Sequence, residues 1–550
     1  MRRNLSILRW TPTLGFILGL AVPAPAQSNR TVPHGTLVTA IGEDPALPLP
    51  AISDRSSDAD IADQLFLRLA VLDPTMRTAG DNALKPMLAR SWRRIDARTL
   101  LFDLDPRARW HDGTPVTARD VVFTWRLMTD SVVGKGRTIL EPVEAVEAVG
   151  TRGVRVRFKR PFNEQAYVFA FNMQPLPAHL AEKIAPASLA ASSFAAHPIG
   201  NGPYRFERRV PAQLVELRAD PKFFLGAPGI ARVIFRIVAD ASARTTLLLT
   251  GETDVMINLP QADIERVRAL PSYRVFAVSS NQLVYASLNT RAPVDTSRPH
   301  PVLADRRVRE ALVLALDRQA MAANVYGPGT PVGDAAQSQL WGWITPRGIT
   351  GRNLNLPLAR ARLAEAGWRD TDGDGTADRN GSALDLRLMY PNVSGPRRAM
   401  ALQAQAMWKE AGIRVAIQAV DPAVFTQRRG AGDFDIEING VNQDPTPSSL
   451  TQSWSCASAG RPGSNNRARW CDRTFDTLLL RAESATAPVP AYRRAMDRMA
   501  AEIPAIFLAA PVNRVAVHTR FQNVVVWPIK PWLSLWQWRI RPGAELARDR

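Results

Sequence analysis

Four aspartates, Asp370, Asp372, Asp374 and Asp378, fall at positions 1, 3, 5 and 9 of the spacing that a calcium loop requires, with Gly375 at position 6. Position 12, where such a loop places a bidentate carboxylate, is Gly381, and the residues beyond it alternate like a strand instead of forming an exiting helix. The segment is therefore expected to be an Asp/Gly-rich turn, and no metal ligand set and no cofactor are assigned. Nucleophilic chemistry has equally little local support. The six histidines, His34, His111, His179, His197, His300 and His518, include no H-E-x-x-H pair, and neither a G-x-S-x-G elbow nor a Walker loop occurs. A catalytic set can assemble from distant residues, which keeps a secreted enzyme as the remote alternative to the expected non-enzyme. The two cysteines, Cys456 and Cys471, fit neither a redox C-x-x-C nor a zinc ligand set.

The amino terminus sets the compartment. Arg2, Arg3 and Arg9 precede the apolar run at residues 14–22, and Ala24-Pro25-Ala26 supplies an A-x-A site, the pattern of a secretory signal peptide cleaved after Ala26. The apolar run is too short to cross a bilayer as a helix, and no cysteine follows it to carry a lipid. The paired arginines admit twin-arginine export, although ordinary secretion is the simpler route. A periplasmic location is expected. In such an oxidising compartment Cys456 and Cys471 are expected to form a disulfide, worth about 3 kcal/mol in the chain-entropy picture. Two unpaired thiols are the alternative if their Cα atoms lie out of bridging range.

The chain has 550 residues, 46% hydrophobic and 22% charged, enough for two or three cored domains. Its formal charge is +18; three arginines and no acids lie in residues 1–26, so removing them leaves +15. That balance suits anionic solutes or membrane headgroups. The arginines are dispersed and form no stripe, which argues against a nucleic-acid partner.

The elements alternate between strand and helix. In Trp110 to Arg126, WHDGTPVTARDVVFTWR, the residues His111 to Pro115 form a turn cluster, and Thr117-x-x-Asp120 is a capping box opening a helix. Val121, Trp125 and Met128 share one face of that helix. Val154, Val156 and Phe158 mark a strand, and the turn at His197 to Tyr204 uses Gly200 and Gly202 to allow positive φ. Val308, Leu312, Ala315 and Leu316 form a helical stripe, with Asp317 capping the next helix. A helix over 358–366 closes at Gly367. A strand through Leu384, Leu386 and Leu388, a helix over 397–411 ended by Gly412, and a strand through Ile413, Val415 and Ile417 then predict a parallel or mixed sheet covered by helices. Phe434, Ile436 and Ile438 add a strand leading into Gly440.

The WHDGTPVT segment, the GNGPY turn at Gly200 to Tyr204, the segment from Tyr285 containing VREAL, LAEAGW at Leu363 to Trp368, and the DGDG turn together resemble the family 5 extracellular solute-binding proteins of bacterial ABC importers. The resemblance spans most of the mature chain. It implies an α/β, two-lobed periplasmic binding protein with a hinge near Tyr285 and again near Leu508. Lobe I would comprise residues 27–65, 195–284 and 509–550, with an added subdomain at 66–194, and lobe II residues 285–508. The implied function is capture of a peptide or peptide-like solute in the interlobe cleft and delivery to a membrane permease, by a monomer. Opines, glycoconjugates and nickel complexes are the alternative solutes. In peptide-binding relatives a carboxylate in the loop after a second-lobe strand meets the ligand's ammonium. Here that loop is Gly440 to Pro445, which lacks the tryptophan expected after Gly440 and is shorter. The implied solute contacts are Asp444, Asn442 and Gln443, with Trp454, Trp343 and Trp341 as candidate aromatic walls. Asp444 before Pro445 is also a common turn opening.

Overall fold

The structure, a computed structural model, describes residues 32–45, 48–53, 55–293, 295–347, 352–461 and 464–550. The expected signal peptide lies outside these residues. Among them, no helix is long and apolar enough to cross a membrane.

Two mixed sheets dominate. The first has seven strands in the order Tyr273–Val278, Asn513–His518, Val255–Met256, Thr36–Ile41, Arg232–Ile237, Leu214–Ala219 and Tyr204–Val210. Thr36–Ile41 runs parallel to its two neighbours, and the other pairings are antiparallel. The second has five strands in the order Arg414–Val420, Asp385–Pro391, Ile436–Asn442, Gln282–Leu288 and Ala505–Ala509. Its first three are parallel, while Gln282–Leu288 is antiparallel to both its neighbours.

The β-α-β pattern near residue 400 folds as its periodicity dictates. Helix Gly395–Glu410 joins two parallel strands and buries Met400, Ala401, Ala404 and Trp408 against Leu386 and Leu388. Gly412 ends it with φ +83°, and Gly367, at φ +85°, follows helix Leu356–Glu365 in the same way. Val308, Leu312, Ala315 and Leu316 are buried in that core, and the Asp317 carboxylate accepts from the Ala320 N–H at 2.9 Å.

A four-stranded sheet, in the order Ala89–Asp96, Thr99–Leu104, Gly153–Phe158 and Val143–Val149, packs with helix Ala118–Thr129. Val154, Val156 and Phe158 face inward while Arg155 and Arg157 face solvent. At the helix start Asp120 Oδ2 accepts from the Thr117 backbone N–H at 2.8 Å, the return arm of the expected box.

Gly200 and Gly202 serve a different purpose from the one their turn suggests. Neither has positive φ. A Cβ on Gly200 would lie 1.9 Å from the Leu65 carbonyl oxygen, and one on Gly202 2.3 Å from that of Gln64. The requirement is close approach of two backbones. His111 seals the junction, its Nε2 lying 3.0 Å from the Gly202 carbonyl oxygen, and burial pushes its pKa down to about 4. Two sequence hallmarks ninety residues apart are thus one packed unit.

The chain passes between the two large sheets twice, at residues 279–281 and 510–512. Tyr285 and Leu508 both lie inside strands of the five-stranded sheet, just beyond these passages.

Candidate functional site

Parallel strands leave their carboxyl ends open to ligands, because the connecting helices start there with unpaired N–H groups. In the five-stranded sheet those ends are Pro391, Val420 and Asn442. Strand Ile436–Asn442 runs further than expected. Gly440, Val441 and Asn442 pair with Val284, Leu283 and Gln282, so the loop begins at Gln443 instead of Gly440. Single-residue preference opposes strand at glycine and asparagine; a neighbouring strand with free backbone groups overrides it.

Beyond the strand, Asn442, Gln443, Asp444, Trp341 and Trp454 line one cavity of about 270 Å³, together with Leu283 and Tyr285. Trp454 is buried against Tyr285 and Phe507 at ring separations of 5.8 and 6.0 Å. Trp341 donates its indole N–H to the Pro445 carbonyl at 3.0 Å, which fixes the loop. Trp343 points elsewhere, edge-on to Tyr492 at 6.2 Å, because alternate residues of the short helix Gln339–Ile344 diverge.

Gln443 is committed to structure. Its N–H reaches the Asn281 carbonyl at 2.8 Å, its Oε1 accepts from the Ser338 N–H at 2.6 Å, and its Nε2 donates to the Ala336 carbonyl at 3.1 Å. Asp444 behaves oppositely. Turn aspartates elsewhere in the chain accept the N–H two residues on, as Asp96 does at 2.7 Å and Asp295 at 3.1 Å. Asp444 has no hydrogen-bond or ion-pair partner among the described residues, although desolvation by the surrounding walls raises its carboxyl pKa. An ionised acid without donors in a partly dry cavity carries an uncompensated desolvation cost.

On the other side of Asn442 is a cavity of about 380 Å³ lined by Arg397, Tyr326, Ser394, Gly440 and Asn442. Nη2 of Arg397 lies 3.2 Å from where a Gly440 Cβ would be, so glycine makes room for the guanidinium. That guanidinium has no hydrogen-bond or ion-pair partner among the described residues, and burial lowers its pKa while Tyr326 opposes. Arg397 was not anticipated from the sequence. The available signal was an arginine in the first turn of a helix, where the macrodipole disfavours a cation.

Cys456 and Cys471 are bridged, with Cα atoms 4.3 Å apart, and among the described residues no cysteine is free. The bridge follows helix Ser449–Trp454 and holds Trp470 beside Phe475, away from the cavity lining. In the Asp/Gly-rich turn, Asp370, Asp372 and Asp374 are exposed, and Asp370 accepts from the N–H groups of Gly373 at 2.7 Å and Gly375 at 3.0 Å.

The model of the bacterial extracellular solute-binding proteins, family 5, matches residues 83–462, and the chain belongs to that family. Among curated relatives, it is 26% identical over 514 residues to the oligopeptide-binding protein AppA of Bacillus subtilis (strain 168), covering 91% of each chain. It is 28% identical over 509 residues to the di/tripeptide-binding protein 4 of Pseudomonas aeruginosa (strain UCBPP-PA14), covering 85% of this chain and 88% of that one. Among solved structures, the ABC transporter substrate binding protein CtaP of Listeria monocytogenes superposes with a TM-score of 0.77 at 21% identity, over 92% of this chain and all of the other. The Bacillus AppA structure with a nonapeptide gives 0.68 at 24%, over 93% of this chain and all of the other. The fold is the two-lobed one of periplasmic binding proteins.

Proposed function

We propose that this protein is the periplasmic receptor of an ABC importer, and that it captures a peptide or peptide-like zwitterion and presents it to a membrane permease. One observation carries the solute class: an unpartnered carboxylate, Asp444, and an unpartnered guanidinium, Arg397, line cavities on either side of Asn442. Opposite charges in cavities that meet at Asn442, the carboxyl end of one strand, suit a ligand with an ammonium at one end and a carboxylate at the other. Trp341, Trp454 and Tyr285 supply apolar walls on the Asp444 side, and no step of catalysis is required. The receptor acts as a monomer, without nucleic acid, after removal of residues 1–26. Its hinge lies near Tyr285 and Leu508, next to the passages at 279–281 and 510–512, where lobe I (27–65, 195–284 and 509–550, with the subdomain 66–194) meets lobe II (285–508). Closure about these passages desolvates both charges and the solute together.

Removing one member of a desolvated charge pair costs about 2–5 kcal/mol of affinity. Asp444→Asn is therefore expected to bind a free peptide at least about tenfold more weakly and an N-acetylated peptide without change. Arg397→Gln should show the same discrimination at the other end, between a free carboxylate and an amide. Isothermal titration with the free, N-acetylated and C-amidated peptides measures both. Equal losses for capped and free peptides would remove these roles and leave Asp444 as a turn residue.

A further inference from the structure

A second acid lines a neighbouring cavity. A cavity of about 590 Å³ lies where the two large sheets meet, lined from one side by Asp60, Asn258, Arg514 and Trp527 and from the other by Gln282 and Asn442. Asn442 lines both this cavity and the one that holds Asp444. Both passages between the sheets border it, through Asn281 and Val512.

Asp60 sits on helix Ser56–Leu65, whose other aspartates are engaged. Asp58 accepts from the Ser53 hydroxyl at 2.6 Å, and Asp63 pairs with Arg68 at 2.6 Å and with Lys530 at 3.2 Å. Lys530 is thus committed to Asp63, and Asp60 has no ion pair within 4.0 Å among the described residues. The indole of Trp532 favours its ionised form, yet that N–H lies outside hydrogen-bond geometry; the buried N–H of Trp527 also has no partner. Burial lowers the Arg514 pKa, with Arg268 adding to the shift, and Arg514 makes no ion pair with Asp60. Burial pushes the Asp60 carboxyl up to about 7, with Lys530 opposing and Asp63 adding to the rise. An unpaired carboxylate against a solute cavity is costly to keep unless a ligand completes it.

We infer that Asp60 determines specificity by receiving a cationic side chain of the solute, so that peptide-like solutes bearing a lysine or another side-chain ammonium are preferred. This rests on the solute reading given above. A ligand cation stabilises ionised Asp60, lowers its pKa and releases its proton to the buffer on binding. The preference is full above about pH 7 and is lost as pH falls below it. Lys530, Asp63, Arg68 and Arg514 are the charged groups around Asp60 or lining its cavity; Lys530 and Arg68 both pair with Asp63, and Lys530 partly offsets the Asp60 charge without reaching ion-pair distance.

The test uses isothermal titration of the secreted chain with tetraalanine and its four single-lysine variants, at about pH 8 and about pH 5.5. At the higher pH at least one lysine variant is expected to bind about tenfold tighter than tetraalanine, and most of that advantage should vanish at the lower pH. Asp444 acts on the amino terminus of every peptide, so it cancels in the ratio. Asp60→Asn should abolish the advantage and leave tetraalanine unchanged, while Asp60→Glu should retain the preference; thermal unfolding of each variant checks that it folds. A lysine advantage that survives in Asp60→Asn, or tetraalanine binding with no lysine advantage, overturns this role of Asp60 alone. If none of the five peptides binds, the peptide reading itself falls.

Discussion

Arg520→Ala is expected to lower stability by about 3–5 kcal/mol, the usual cost of stripping one partner from a buried charge network. Arg520 is 1% exposed, between Asp254 at 0% and Asp549 at 1%. Its Nε donates to Asp254 Oδ1 at 2.8 Å, its Nη1 to Asp549 Oδ2 at 2.6 Å, and its Nη2 to the Thr36 carbonyl. The two acids are joined in turn to the sheet: Val38 N–H donates to Asp254 at 2.8 Å and Thr36 N–H to Asp549 at 2.7 Å. Alanine would leave Asp549 with backbone donors alone and Asp254 with Arg548, at 2.6 Å, as its remaining cation. Backbone donors and Arg520 overcome burial and hold the Asp549 carboxyl below its ordinary value. Its contribution to stability is therefore present above the ordinary aspartate pKa and lost as pH falls through the lowered one. Urea unfolding of the variant measures the loss; a change below about 1 kcal/mol would show that the network contributes little.

Glu164→Ala is expected to cost about 3 kcal/mol, because three hydroxyl donors lose a buried acceptor. Thr78 donates to Glu164 at 2.5 Å, and the Thr446 and Ser448 hydroxyls reach it from the loop after Asp444. The same junction is braced by Asn163, whose N–H and Nδ2 reach the carbonyls of Glu483 at 2.9 Å and Ala482 at 2.6 Å. Burial outweighs the three donors and raises the Glu164 pKa, with Glu483 adding to the rise. A carboxyl raised in the folded state stabilises fully below its unfolded pKa, and the gain is lost as pH rises through the folded value. Glu164→Gln, which keeps an acceptor and has no charge, should therefore be more stable than the parent at about pH 8 and no more stable at about pH 4. Thermal midpoints across that range decide it. A glutamine variant that is less stable than the parent at every pH would contradict the balance described.

Much of this architecture is legible in the sequence because it follows local periodicity. The Leu384, Leu386 and Leu388 strand, the Gly395–Glu410 helix and the glycine stops at Gly367 and Gly412 each announce themselves through spacing or through φ. The site was legible only in part. Asp444 and Asn442 stand in a loop and strand end that a pattern can locate, but whether Asp444 has donors depends on where the backbone of Thr446 points. Gln443 has the composition of a ligand contact, yet Asn281, Ser338 and Ala336, distant in sequence, consume its hydrogen-bonding groups. Gly440 reads as the opening of a loop, whereas pairing with Val284 draws it into the sheet beside Arg397. Asp60 looks like any surface acid of an amphipathic helix; only the tertiary structure shows that its neighbours are paired and it is not.

On the proposed function, a peptide-like zwitterion binds the native protein through both its charged ends. The most direct measurement is the thermal unfolding midpoint of the secreted protein against peptides with free and capped termini, with opines and nickel complexes alongside. A ligand that binds only the native state stabilises it by about 2.7 kcal/mol at a hundredfold excess over Kd. Peptides with both termini free should raise the midpoint, and capping either end should remove most of the rise. No shift with any free peptide, or equal shifts from free and doubly capped peptides, would contradict it.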